Sequence, residues 1–385
     1  MKQTITIFLL LSVLTSCWRS NLGNPQNVDV INVVSILKLK STEQPLSKFT
    51  TDFKYLWPET KENSFFYLLG IDHIDSCYMI LHDKTTQLRY LYKTSGELIG
   101  QIGEKGSGPG EYIGVTDVFL WGNLQEIHLY NSNQKKILRF GLDLKYLGSI
   151  KLENSPAAME RFNDKYYICA FTETVWTRKD KHDLYLKDPI NFNDVKILLD
   201  NKKSDKQTQI KGPSNLRWLL SKSDTIFYAR ETDTRIEVFK IADETPELKY
   251  VLDLNEFYSN PRNPASSFVR DLMFFDKYLM ITVQSAGQIY TGYYDTEIKK
   301  LENFSIINDL DMGLEFYPMG NTGDGGYHSD DLKIQDFINQ WDSKNEKDQE
   351  MDFTCKYPER ARWLKDTISR SIEANSLIMV IYNRN

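Results

Sequence analysis

Gly103-Glu104-Lys105-Gly106-Ser107-Gly108-Pro109-Gly110-Glu111-Tyr112 packs four glycines and a proline into ten residues. Glycine loses too much backbone entropy, and proline lacks the N–H donor, for such a run to be helix or the interior of a central strand. The stretch is therefore a structured turn. It is not a phosphate cradle: the Gly-x-x-x-x-Gly-Lys-Ser/Thr order is absent, and no helical stretch follows to aim its N-terminus at an anion. The flanks decide the fold. Leu81-His82-Asp83, Tyr90-Leu91-Tyr92 and Ser95 to Gly100 read as strand, turn, strand, turn, strand. The same layout returns at Leu129-Tyr130-Asn131, Leu138-Arg139-Phe140 and Asp143 to Gly148, each displaced by 48 positions. A period of about fifty residues, filled with short strands and no helix, marks a β-propeller blade rather than a sandwich.

Further units follow. A third begins near Ala157, with Arg161 to Phe171 carrying a turn between apolar segments, and runs into a Lys- and Asp-rich insertion, Thr177 to Gln207, read as strands joined by solvated loops. The fourth takes Trp218-Leu219-Leu220, Thr225 to Arg230 and Arg235 to Ile241. The fifth runs from Phe268 to Tyr294, with turns at Asp276-Lys277 and Ala286-Gly287. After Ile306 the pattern degrades: Leu314 to Met319 and Tyr327 start a sixth unit interrupted by Gly320 to Gly326. Ser329 to Trp341 and Tyr357 to Ala374 have helical spacing, with Ala361, Leu364, Ile368 and Ile372 on one face. Closure removes exposed edges, so Val28 to Lys40 and Ser376 to Tyr382 are expected in the same or adjacent blades.

At the start of the chain, Lys2, an apolar run from Ile5 to Leu14 and Thr15-Ser16-Cys17 form a secretory signal too short to span a bilayer permanently. Leu14-Thr15-Ser16-Cys17 resembles the lipobox of bacterial lipoproteins, which implies removal of residues 1–16 and a lipid on Cys17. Several acyl chains would hold the protein to a membrane without spanning it. Residues 17–27 read as a tether, and residues 28–385 as one propeller domain with a helical insertion at about 329–374. Position 18 is Trp, not Asp, which by the lipoprotein sorting pattern points to the outer membrane. The lack of an acidic run after Cys17 favours a periplasm-facing location.

The chain of 385 residues has 22 Tyr, 20 Phe and 7 Trp, the enrichment that suits half-buried strands. Its net charge of −6 is spread without a basic block, which excludes nucleic acid as the expected partner. Beyond Cys17, three cysteines remain, Cys77, Cys169 and Cys355, enough for at most one disulfide and wrongly spaced for a Cys-x-x-Cys zinc site. Cys77 and Cys169 read as buried small hydrophobes.

The lipobox, the Gly-x-Gly-Pro-Gly-Glu-Tyr core of the loop, the repeated units beside it and a late helix before Ser376 to Asn385 together resemble the six-bladed β-propeller lipoproteins of Bacteroidetes, a family similar to NHL-repeat propellers. The resemblance implies an all-β, six-bladed propeller with short C-terminal helices in a cell-envelope setting, and it supplies no catalytic residues.

Candidate sites are few. Of the histidines, His73, His82, His128, His182 and His328, the pair His82 and His128 do not occupy equivalent places in their units, so these two read as ordinary strand-surface residues. Asp324, His328 and Asp330 lie in an acidic, glycine-rich segment with oxygen donors for calcium, although the order of a known calcium loop is absent. A solvated loop is the plainer reading, and no cofactor is expected. Gly106, Gly108, Pro109 and Gly110 are structural turn residues. Trp121, Trp176 and Trp218 either line a binding face or pack between blades, the latter being commoner. Neither Gly-x-Ser-x-Gly nor His-Glu-x-x-His occurs. The expected function is a lipid-anchored binding or scaffold module for a peptide, glycan or envelope protein. The alternative is a metal-dependent hydrolase or lyase working at the central channel, which needs His, Asp or Glu side chains to converge there.

Overall fold

The computed structural model describes residues 28–50, 52–59, 66, 69–170, 182–200, 217–222, 225–232, 235–256, 267–310, 315–321, 326–329 and 378–382. Five antiparallel meanders succeed one another along the chain. Blade 1 comprises Leu69–Ile74, Tyr78–Asp83, Arg89–Lys93 and Leu98–Gln101; blade 2, Asp117–Trp121, Glu126–Asn131, Lys136–Gly141 and Tyr146–Lys151. Blade 3 comprises Ala158–Phe162, Tyr166–Ala170, His182–Lys187 and Asp194–Asp200; blade 4, Arg217–Lys222, Thr225–Thr232, Arg235–Ala242 and Thr245–Asp253; blade 5, Ser267–Phe275, Tyr278–Ser285, Gln288–Asp295 and Lys300–Glu302. The protein is an all-β propeller.

Local chemistry explains the hairpins. Asp243-Glu244 and Ala286-Gly287 are two-residue connections with positive φ at both positions, 48° and 58° in the first and 50° and 80° in the second. That geometry matches the right-handed twist of the strands it joins. The blades stack through apolar layers rather than around one centre. Phe119, Trp121, Met159, Tyr167 and Cys169 fill the space between blades 2 and 3, while Ile80, Leu91, Leu129, Leu138 and Phe140 fill that between blades 1 and 2. Each sheet is apolar on both faces because each face meets a neighbour.

Two expectations about the ring are corrected. Six consecutive units were expected, but five meanders form among the described residues. The material assigned to a sixth becomes a composite sheet, ordered Pro318–Asn321, Tyr327–Ser329, Ile378–Tyr382 and Asp52–Leu56, drawn from both ends of the chain. The C-terminal strand does pair with an N-terminal one, yet its partner is Asp52–Leu56 and not the 28–40 stretch. Asp29–Asn32 instead runs parallel to the outer strand of blade 4, two sheets away, and Thr42–Pro45 runs parallel to Phe304–Ile307 beyond blade 5. Between them, Ile36 packs so tightly on Gly292 that a Cβ there would sit 2.7 Å from it. The N-terminal segment therefore covers the outer edge of blade 4, packs on blade 5 at Gly292 and pairs with Phe304–Ile307 beyond it before completing the composite sheet, so that the blade 4 edge is not left open to pairing.

The signal 1–16, Cys17, the tether, Asp324, Asp330, Cys355 and Trp176 lie outside the described residues, as do the expected helices beyond Ser329. Cys77 is exposed, which corrects its reading as a buried hydrophobe: Asp75-Ser76-Cys77 is a turn, its Cys77 N–H donating to Asp75 at 2.7 Å. Cys169 is buried as expected.

Candidate site at the channel wall

The Gly103 to Tyr112 loop links blade 1 to blade 2. Glu104–Lys105 pairs parallel with Glu111–Tyr112, and the Glu111 carboxylate accepts the Gly108 N–H at 2.7 Å. A Cβ on Gly106 would lie 2.1 Å from that carboxylate, so a larger residue there would displace the Glu111 side chain and its bond to the Gly108 N–H. Tyr112 is buried, and its hydroxyl accepts the backbone N–H of Arg89 at 3.1 Å. The Arg89 guanidinium lies 5.8 Å from the Tyr112 ring centroid. It donates to the carbonyls of Gln87 and Val115, both at 3.1 Å, and contacts Asp72 at 2.9 Å. With its side chain only 3% exposed, Arg89 spans three segments.

Asp72 belongs to the innermost strand of blade 1. Pairing passes from Ile71 opposite Leu81 directly to His73 opposite Ile80, so Asp72 is the extra residue of a β-bulge, a feature that re-aims side chains. Its carboxylate also lies 2.8 Å from Nδ1 of His82, and both contacts are close but angled away from full hydrogen-bond geometry. His82 seats its ring directly on Gly70, where a Cβ would fall 2.2 Å from it. Next to this, His73 contacts Asp75 at 3.0 Å. Burial opposes ionisation of Asp75, but His73 and the N–H groups of Tyr78 and Cys77 hold its carboxyl at about 2.

The innermost strands of blades 2 and 3 add Asp117 and Glu160. Burial pushes the Asp117 carboxyl up to about 7; Glu160 and Asp72 push the same way, and Arg89 pulls back. Burial likewise raises Glu160, against the Arg161 N–H at 2.8 Å and the charges of Arg161 and His73. Three consecutive inner strands thus bring carboxyls into electrostatic contact, one of them poised to exchange a proton near neutrality.

The residues singled out from sequence fall elsewhere. His328 is buried in a strand of the composite sheet and seats its ring on Gly320, repeating the His82–Gly70 arrangement, so the loop reading is corrected for this residue. Among the described residues no three of His, Cys, Asp and Glu group closely enough to hold a metal ion. His128 is 0% exposed and not on a strand surface. It bonds Tyr167 at 2.5 Å and Glu126 at 2.8 Å, and Arg139 grips Glu126 through two nitrogens. Burial pushes its imidazole down to about 4. Trp121, whose indole donates to Tyr167 at 3.3 Å, packs between blades and lines no binding face. Sequence reasoning missed Asp72, Arg89, Asp117 and Glu160. The available signal was a charged residue inside the first apolar segment of three successive units, since charges are rarely buried without purpose.

Residues 28–365 match the family described as a domain of unknown function (DUF4934). Among solved structures, an exported protein from Bacteroides fragilis superposes with a TM-score of 0.63 at 17% identity, covering 93% of this chain and 100% of its own. A DUF4221 family member from Bacteroides vulgatus gives a TM-score of 0.43 at 7% identity, covering 87% and 98%. The first likeness speaks for the fold alone. No curated protein matches. No helix among the described residues is long and apolar enough to cross a membrane.

Proposed function

The chain belongs to the DUF4934 family, and from that premise we propose that it is a binding or scaffold module of the cell envelope, taking a peptide, glycan or envelope protein at its central channel. The observation that carries the reading is that the first strands of blades 1, 2 and 3 lie side by side and carry Asp72, Asp117 and Glu160, with Asp72 and Glu160 both acting on the Asp117 carboxyl. Keeping carboxyls partly desolvated costs stability, and such cost concentrates at functional sites. The test is affinity capture from the native envelope with the full chain, wild type against a triple variant, Asp72→Asn, Asp117→Asn and Glu160→Gln. A partner retained by the wild type and lost by the variant supports the channel. Equal retention overturns it.

Lipid attachment at Cys17, with the outer membrane as its site and the periplasm as the facing compartment, belongs to the same proposal. It is supported by the Leu14-Thr15-Ser16-Cys17 motif and by Trp18. Cys17→Ala is expected to move the protein from the membrane pellet to the soluble fraction, because losing all acyl chains removes stable anchoring. A variant that stays with the membrane would count against lipidation.

A second reading, a hydrolase or lyase at the same channel, is favoured by one observation: a carboxyl at about 7 is suited to general acid and base work near neutral pH. It predicts turnover of the bound ligand, with Asp117→Asn abolishing turnover while binding survives.

A further inference from the structure

Arg89 joins the Gly103 to Tyr112 loop to the carboxyls on the inner strands of the first blades. From the third strand of blade 1 it reaches inward to Asp72 on the inner strand, and outward to the Val115 carbonyl at 3.1 Å, two residues before Asp117 opens the inner strand of blade 2. Its own backbone is tied to Tyr112, the last residue of the glycine-rich loop. We propose that Arg89 is a positioning residue that sets the Asp72 and Asp117 carboxyls at the channel wall, and that the Gly-x-Gly-Pro-Gly-Glu-Tyr loop holds Arg89 in place for that role.

The inference rests on the reading of the channel wall as the ligand site and explains how that site is tuned. A guanidinium is suited to it: it stays charged, and its planar fork reaches several acceptors at once. The groups facing Asp117 are Glu160 on the inner strand of blade 3, Asp72 and Arg89 of blade 1, Tyr130 on the second strand of its own blade, and Cys169 of blade 3. Arg89 is the cation in that set and works against the burial that raises Asp117. The loop contributes to its position: without the Tyr112 hydroxyl the Arg89 N–H loses its acceptor, leaving the Ile102 N–H on its carbonyl as the remaining backbone tie at that residue.

The test is a carboxyl titration followed by carbon NMR on the full chain labelled in aspartate side chains, with Asp117→Asn assigning the signal. Arg89→Met is expected to raise the Asp117 midpoint by about one pH unit, the scale of losing one nearby cation. Arg89→Lys keeps the charge and should return the midpoint most of the way. Tyr112→Phe, the gentler change if Arg89→Met does not fold, should raise it in the same direction. A purely structural role would lower the melting temperature and leave the midpoint where it was. An unchanged midpoint in either folded variant, Arg89→Met or Tyr112→Phe, overturns the proposal. No ligand enters this titration, so its failure is distinct from failure of the affinity capture, which tests whether the channel binds anything.

Discussion

Asp117→Asn is expected to stabilise the protein at pH 8 and to leave its stability at pH 4 almost unchanged. The sign follows from linkage. Asp117 has its folded pKa raised to about 7 from an ordinary 3.8, so between those values the folded state holds a proton that the unfolded state has released. Stability is therefore lost as pH rises through that window, and the full cost is present above it. Asparagine removes the charge and with it the cost, on the order of 3 kcal/mol, or roughly 5 °C in melting temperature for a domain of this size. His128 titrates the other way: its folded pKa of about 4 lies below the ordinary 6.5, so its contribution is lost as pH falls between those values. That loss is common to both proteins and cancels in the difference. Melting curves at pH 4, 6 and 8 decide the matter, and a difference that does not grow with pH would show that Asp117 is not strained. A stabilising substitution at the channel that also abolishes partner capture would display the trade between stability and function expected of a binding site.

The second large effect concerns the loop. Gly110→Val should lower the melting temperature by several degrees, whereas Gly108→Val should have a clearly smaller effect. Gly110 has φ of 76°, and an added Cβ would press on the Tyr146 ring at 3.2 Å; a β-branched residue there adds backbone strain of about 1–3 kcal/mol to the overlap. Gly108 is not in the positive-φ region, and its Cβ would meet the Glu111 carboxylate at 3.0 Å, the end of a flexible side chain able to give way. Sequence alone treats these glycines as equivalent. Equal melting temperatures for the two variants would mean that the backbone conformation of Gly110 does not matter to stability.

How much of the molecule was legible varied by element. In blades 1, 2, 4 and 5 three of the four strands could be read, because short apolar runs between turn residues are a local signal, while the innermost strands of blades 1 and 2 and the outer strands of blades 4 and 5 were not delimited. The turns at Asp276-Lys277 and Ala286-Gly287 fall where expected, with Asp276 and Ala286 both at φ of 50°. The ring closure was misread because Val28 to Lys40 and Asp52 to Leu56 carry similar apolar content, and nothing local says which one meets Ile378–Tyr382. Cys77 was misplaced for a related reason: it stands beside an apolar strand, but the Asp75 carboxylate turns the chain one residue earlier.

The sequence by itself determined the repeat, its period, the all-β character and the glycine loop, since each depends on residues close together in the chain. Tertiary structure alone decided that the N-terminal segment covers the outer edge of blade 4 and pairs beyond blade 5, that His128 is buried against Tyr167, and that the strands carrying Asp72, Asp117 and Glu160 lie side by side, with the other two acids acting on Asp117. Those three acids lie more than forty positions apart from one to the next, and an isolated acidic residue in a strand looks like any solvated one. Their meaning comes from desolvation and mutual repulsion, which exist only once the blades have closed around the channel.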